Sequence, residues 1–160
     1  MRFAPQEIRT FFVTSVTDRR KAILQSHRMA GLLIDVMQQN REKGRFLLHE
    51  FVVMPDHIHL LITPAPAISL EKAMQYIKGG FSFRAKKELG YAGSIWQDSF
   101  DNHRIRGAID YERHRNYIHQ NPVCRSLART ASEYPYSSAF PGAAIDPAPP
   151  ALKRTVLTAL

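Results

Sequence analysis

His57-Ile58-His59 is the segment of this chain whose residue types and spacing bear most directly on chemistry. Successive side chains on a strand point to opposite faces, so an i, i+2 pair sets two imidazoles side by side, near enough to share a divalent cation. Two ligands rarely hold a metal, and such a pair can be purely structural. Arg115-Asn116-Tyr117-Ile118-His119-Gln120-Asn121-Pro122-Val123 supplies what the pair lacks. Tyr117 and Asn121, four residues apart, lie one turn apart on a single helical face. Pro122 disfavours helical geometry at Asn121, which puts that residue at the fraying end of the helix with its amide oxygen available to a cation. Two imidazole nitrogens and one amide oxygen leave room for water and a phosphate oxygen. A cation so held polarises a phosphoryl group, and Mg²⁺ or Mn²⁺ suits the task. A tyrosine phenol, in general far more acidic than an alcohol, leaves more readily than an alkoxide, so a phosphotyrosine intermediate at Tyr117 keeps the phosphoester energy.

Each residue also has a plainer reading. The histidines can be a hydrogen-bonded structural pair, Tyr117 a core aromatic as Tyr111 is expected to be, and Asn121 a helix cap. These explain the residues one at a time and not their joint occurrence. Asp56 is a turn residue or a partner for a histidine N–H. His114, one turn before Tyr117, is a supporting candidate that would orient the phenol or a phosphate. The single tryptophan, Trp96, is expected to be buried rather than stacked on a base.

The elements that must position these residues follow from periodicity. Phe11 to Thr17 is aromatic and β-branched, hence a strand, followed by the basic turn Arg19-Arg20-Lys21. Met29, Leu32, Leu33, Val36 and Met37 keep helical spacing and Gly44 closes that helix. Phe46 to Val53 and His57 to Thr63 form a hairpin around Pro55-Asp56. Ser69 caps a helix carrying Leu70, Ala73, Met74, Ile77 and Phe81, which Gly79-Gly80 is expected to interrupt. Ile95 to Gln97 and Phe100 to Ile105 read as a fourth strand with an irregular start, and a last helix runs from near Ala108 to about Gln120. The order predicts an α+β fold, a ferredoxin-like βαββαβ antiparallel sheet with an added C-terminal helix that carries the tyrosine.

The chain has 160 residues, enough for one domain with a hydrophobic core. We place a catalytic domain at 1–140 and a Pro/Ala-rich tail, with room for a short helix, at 141–160. Lys and Arg number 22 against 14 acidic residues, a net charge of +8 that favours a polyanionic partner. Candidate nucleic-acid contacts are Arg19, Arg20, Lys78, Arg84, Lys86 and Lys87, and, around the tyrosine helix, Arg104, Arg106, Arg113, Arg115, Arg125 and Arg129. One cysteine, Cys124, excludes an internal disulfide and a cysteine-based zinc site. The first residues show no export signal and no run reaches a membrane-spanning length, so the expectation is a cytoplasmic, nucleoid-associated protein.

Four segments together resemble the HUH single-strand endonucleases with one catalytic tyrosine, and within them the REP-associated tyrosine transposases. They are Met54-Pro55-Asp56-His57-Ile58-His59-Leu60-Leu61, Ile95-Trp96-Gln97-Asp98, Tyr117 to Val123, and Tyr134-Pro135-Tyr136-Ser137-Ser138. The resemblance implies a histidine pair on a central strand, with His57, His59 and Asn121 as metal ligands. It implies that Tyr117 attacks the scissile phosphate of single-stranded DNA at or beside a palindromic hairpin, the 3′-hydroxyl leaving and the 5′ end staying on the tyrosine. Insertion-sequence members of the wider family usually carry Gln where this chain has Asn121, whereas the REP-associated branch carries Asn. That branch implies a monomer, with a dimer left open. Two other classes fit the residues: a non-catalytic nucleic-acid-binding module of ferredoxin-like fold, and a phosphoesterase that uses water.

Overall fold

A computed structural model describes residues 9–153. The expectations for the first seven residues and for most of a terminal helix from Leu152 to Leu160 lie outside the described residues. Four strands, β1 (Phe11–Val16), β2 (Phe46–Met54), β3 (His57–Pro64) and β4 (Asp101–Arg104), form one sheet in the order β2-β3-β1-β4. All three pairings are antiparallel. Three helices, α1 (His27–Glu42), α2 (Leu70–Leu89) and α3 (Ala108–Cys124), complete the expected α+β, ferredoxin-like arrangement. Ser26 and Ser69 cap α1 and α2 by accepting from the backbone N–H three residues on. Among the described residues no helix is long and apolar enough to cross a membrane.

The sheet separates two layers. Val13, Ile58, Leu60 and Ile62 point to α1 and α2, where they meet Leu33, Val36, Met37, Met74, Ile77 and Phe81 in the larger core. Val52, Met54 and Leu61 point the other way and pack with Ile118 and Tyr111 of α3. Alternation along β3 therefore sends His57, His59 and Leu61 to the α3 layer. A β-bulge between Leu48 and Glu50 resets the alternation in β2. It keeps Phe46, Leu48, Phe51 and Val53 in the larger core and turns Glu50 toward α3.

Three expectations need correction. Gly79-Gly80 does not interrupt α2, which runs unbroken through both. A Cβ on Gly80 would stand 3.3 Å from Val36 Cγ1, so its bareness serves the close approach of α1 and not a kink. The fourth strand is only Asp101–Arg104. Before it the chain turns through Ser99 at φ 67°, and Trp96 makes one isolated bridge to Thr17. Trp96 packs half-buried against the core, its ring 5.9 Å from that of Phe81. Lastly, α3 does not end at Gln120 but continues through Pro122 to Cys124. Proline so near the end deprives one carbonyl of its partner, and Asn121, its own carbonyl accepting from Arg125 N at 3.1 Å, stays helical and buried rather than fraying.

Residues 134–138 run along the outer edge of β2. Val53 N donates to Tyr136 O at 2.8 Å, Ser138 N to Phe51 O at 2.9 Å, and Tyr134 Oη to Val53 O at 2.7 Å. Further on, Asp146 binds Arg41 of α1 through both carboxylate oxygens, at 2.9 and 3.0 Å, and accepts from Leu48 N at 2.9 Å. The described residues after Pro141 are thereby tied to both a helix and a strand.

Candidate active site

β3 is flanked on both sides, and the register sets Thr14 of β1 opposite His59 and Met54 of β2 opposite His57. Both imidazoles are 4% exposed, with ring centroids 4.7 Å apart. Each has one nitrogen committed. His57 Nδ1 lies 2.6 Å from Asp56 Oδ1, and His59 Nδ1 lies 2.9 Å from Thr14 Oγ1. With those N–H groups donating, each Nε2 keeps its lone pair. Burial holds the His57 ring below the usual imidazole range against the pull of Asp56. It pushes His59 down to about 3, helped by the neighbouring His57 and the charge of Arg125. Both rings are neutral near pH 7 and able to accept.

The hairpin turn that carries Asp56 is pinned from β1. Thr17 N donates to Asp56 O at 2.9 Å, and Leu24 N to Pro55 O at 2.9 Å. Burial disfavours the charged form of Asp56, yet the His57 hydrogen bond and the nearby Arg20 and Arg125 charges keep its carboxyl below the usual range.

α3 crosses this face of the sheet with two working flanks. On one, Tyr117 sets its ring 5.2 Å from that of His59, and Asn121 follows one turn on, buried. Tyr117 itself is 52% exposed, so it is not the core aromatic that Tyr111, at 4%, is. Three buried side-chain polar atoms among the described residues lack a hydrogen-bond partner, and two of them are His59 Nε2 and Asn121 Oδ1. Orphaned acceptors in one layer are costly, and a shared cation is a ready reason for them. The donor set of imidazole nitrogen and amide oxygen fits a divalent metal with open positions.

On the other flank, Arg115 and His119 reach the buried carboxylate of Glu50 on β2, at 3.1 and 3.2 Å, and Ser138 Oγ donates to it at 2.7 Å. Burial raises the Glu50 carboxyl, but these partners outweigh it and leave it below the usual range. Arg115 is thus engaged inside the fold.

His114 is held between Asp110 and the ring of Phe12, its Nδ1 2.8 Å from Asp110 O. Asp110 also accepts from Arg106 N at 3.0 Å and from His103 Nε2 at 2.8 Å. His103, Asp110 and His114 are a second group with metal-competent donors, already bonded to one another. Phe12 and Thr14 are the site residues that sequence reasoning missed. Phe12 stacks on His59 at 5.2 Å and meets Tyr117 edge-on at 5.9 Å. Only the β1–β3 register reveals either residue, and no local motif carries it.

The basic candidates divide by layer. Arg19 and Arg20 sit in a 3₁₀ turn after β1, Arg20 reaching Asp56 at 3.5 Å, and Arg104 on β4, Arg106 in the loop after it and Arg113 on α3 are exposed. Lys78, Arg84, Lys86 and Lys87 belong to α2, on the far side of the sheet. There Lys78 Nζ donates to Gln97 O and Ser99 O, at 3.1 and 2.8 Å, and Arg84 pairs with Asp35 and Glu88.

Residues 8–121 match the family model described as transposase IS200 like. A REP-associated tyrosine transposase of Escherichia coli (strain K12) is 28% identical over 130 residues, which cover 80% of this chain and 74% of that protein. A Haemophilus influenzae protein assigned to the same group is 29% identical over 138 residues, 80% of this chain and 77% of that one. The solved structure of a REP-associated tyrosine transposase bound to a REP hairpin has a TM-score of 0.67 and 26% identity, covering 86% of this chain and 79% of that one. Because the family match spans the histidine pair, the tyrosine and the amide together, this chain belongs to the IS200-like transposases, in the group of the REP-associated tyrosine transposases.

Proposed function

We propose that this protein is a metal-dependent transesterase that nicks and rejoins single-stranded DNA beside palindromic hairpins through a 5′-phosphotyrosine on Tyr117. The observation that carries this reading is the pair of orphaned acceptors, His59 Nε2 and Asn121 Oδ1, contributed by strand and helix beside an exposed tyrosine. His57 Nε2, His59 Nε2 and Asn121 Oδ1 would hold Mg²⁺ or Mn²⁺, which when bound polarises the phosphoryl oxygens and offsets their charge. Thr14 and Asp56 fix the two rings so that Nε2 faces outward from their hydrogen bonds.

Tyr117 Oη forms a bond to the scissile phosphorus as the bond to the 3′ oxygen breaks. The phenol proton passes to solvent and the departing 3′ oxygen takes one up. Attack by a 3′-hydroxyl on the phosphotyrosine reverses the step and restores the phenol. Phe12 and His59 flank the tyrosine ring, while His114, held by Asp110, stands one turn before it as a supporting group. All these groups come from one chain, so a monomer suffices. A hairpin partner is supported by the relative that was solved with one, and such DNA would keep the protein at the nucleoid.

The test is incubation with Mn²⁺ or Mg²⁺ and labelled hairpin-bearing single strands. We expect a denaturation-resistant protein–DNA adduct in the wild type, lost on chelation and reduced by roughly 10³-fold or more in Tyr117→Phe. Cleavage that persists in Tyr117→Phe without an adduct would favour hydrolysis by water, and binding without any cleavage would favour a non-catalytic module.

A further inference from the structure

A cavity of about 230 Å³ adjoins Asp56, lined by Arg20, Ala22, Met54, Pro55, Arg125 and Leu127. Ala22, Pro55 and Leu127 give it an apolar wall, Asp56 adds a carboxylate, and its two cations come from different elements, Arg20 from the turn after β1 and Arg125 from the residue that caps α3. Both arginines are exposed; Arg20 is loosely tied to Asp56 at 3.5 Å, and Arg125 has no ion-pair partner among the described residues. Leu127 is 45% exposed, an apolar side chain left at the mouth.

The backbone on both sides is strained. Among the described residues only Arg19, Arg20, Ser99 and Ser126 are non-glycine residues with positive φ, and three of the four flank this cavity, at 54°, 52° and 58°. Left-handed backbone at such residues costs of order 1 kcal/mol each and persists where the surrounding structure requires it, often at ligand sites. Here it turns Arg20 and Leu127 toward one space.

We propose that this cavity binds one unpaired nucleotide of the DNA strand next to the scissile phosphate, its base against Leu127 and Pro55 and its phosphate between Arg20 and Arg125. The chemistry is that of a single-strand site, an apolar platform for a base with cations for the backbone. Asp56 in its wall is bonded to His57, so the cavity adjoins the proposed metal site. This inference rests on the reading of the site as a DNA transesterase, but its test does not depend on catalysis.

The test measures equilibrium binding of the full protein to a hairpin-bearing single strand in which each unpaired position in turn is abasic. At one position the abasic strand should bind the wild type about fivefold more weakly, and Leu127→Ala should show no further loss with that strand. Arg125→Gln should weaken binding and lower the slope of log Kd against log salt by about 0.7, the share of one phosphate on a single strand. Both side chains are exposed, so folding of the variants is checked by circular dichroism and expected unchanged. Additive losses at every position, or an unaltered salt slope in Arg125→Gln, would overturn the pocket. If the coupling appears in a protein that never forms an adduct, the pocket stands and the transesterase reading falls; no DNA binding at all would end both.

Discussion

Thr14 and Asp56 decide which nitrogen each histidine offers, and neither would touch the metal. Thr14→Val keeps shape and removes the hydroxyl beside His59 Nδ1, and Asp56→Asn weakens the partner of His57. Each should lower Mn²⁺ affinity by roughly 10- to 100-fold, measured by titration calorimetry, with the fold intact. Unchanged affinity in both would mean that these contacts do not set the rings. Asn121→Leu separates stability from function. It removes an orphaned buried oxygen, so the metal-free protein should gain about 1 kcal/mol in denaturant unfolding while the metal-induced rise in Tm disappears. His57, His59, Tyr117 and Asn121 were legible because their partners lie two or four residues away, where strand and helix periods act. Thr14 and Phe12 were not, since they reach His59 only across a strand pairing separated by more than 40 residues.

α3 is positioned by its two flanks, and Glu50 is what the second flank grips. A buried carboxylate shared by Arg115, His119 and Ser138 fixes the rotation of the helix that carries Tyr117. Glu50→Gln should cost about 1.5 kcal/mol at neutral pH, because it replaces charge-assisted hydrogen bonds to a buried carboxylate with weaker neutral ones. The folded-state pKa of Glu50 lies below its ordinary value of 4.5, so its contribution is complete above about pH 4.5 and is lost as pH falls through the lower folded value. The stability gap between wild type and Glu50→Gln, followed by urea unfolding across that range, should therefore narrow toward acid; a constant gap would contradict the assignment. Glu50 owes its orientation to the bulge at His49, which sequence alternation does not announce. The same holds for Gly80 and Pro122. Local propensity reads them as breakers, whereas tertiary contact with Val36 and the burial of α3 keep both helices running.

The whole molecule is a sheet with a structural layer on one face and a chemical layer on the other. α1 and α2 bury the larger core, and the basic side chains of α2 stand on that side, away from the histidines. The fold class was readable from the order of elements and the alternation of apolar residues. The sorting of positive charge between layers was not, because it depends on which side of the sheet each helix takes. Residues 142–153 belong to the folded unit through Asp146, so Asp146→Ala should lower stability by about 2 kcal/mol in denaturant unfolding. A neutral outcome would make that segment dispensable. On the proposed function, metal, tyrosine and DNA strand would meet in the other layer, and one measurement bears on that proposal most directly. After reaction with a labelled hairpin-bearing single strand and Mn²⁺, tryptic digestion and mass spectrometry should find the peptide spanning residues 116–125 carrying a 5′-linked nucleotide on Tyr117. A nucleotide on another residue, or free 5′-phosphate ends with no modified peptide, would contradict it.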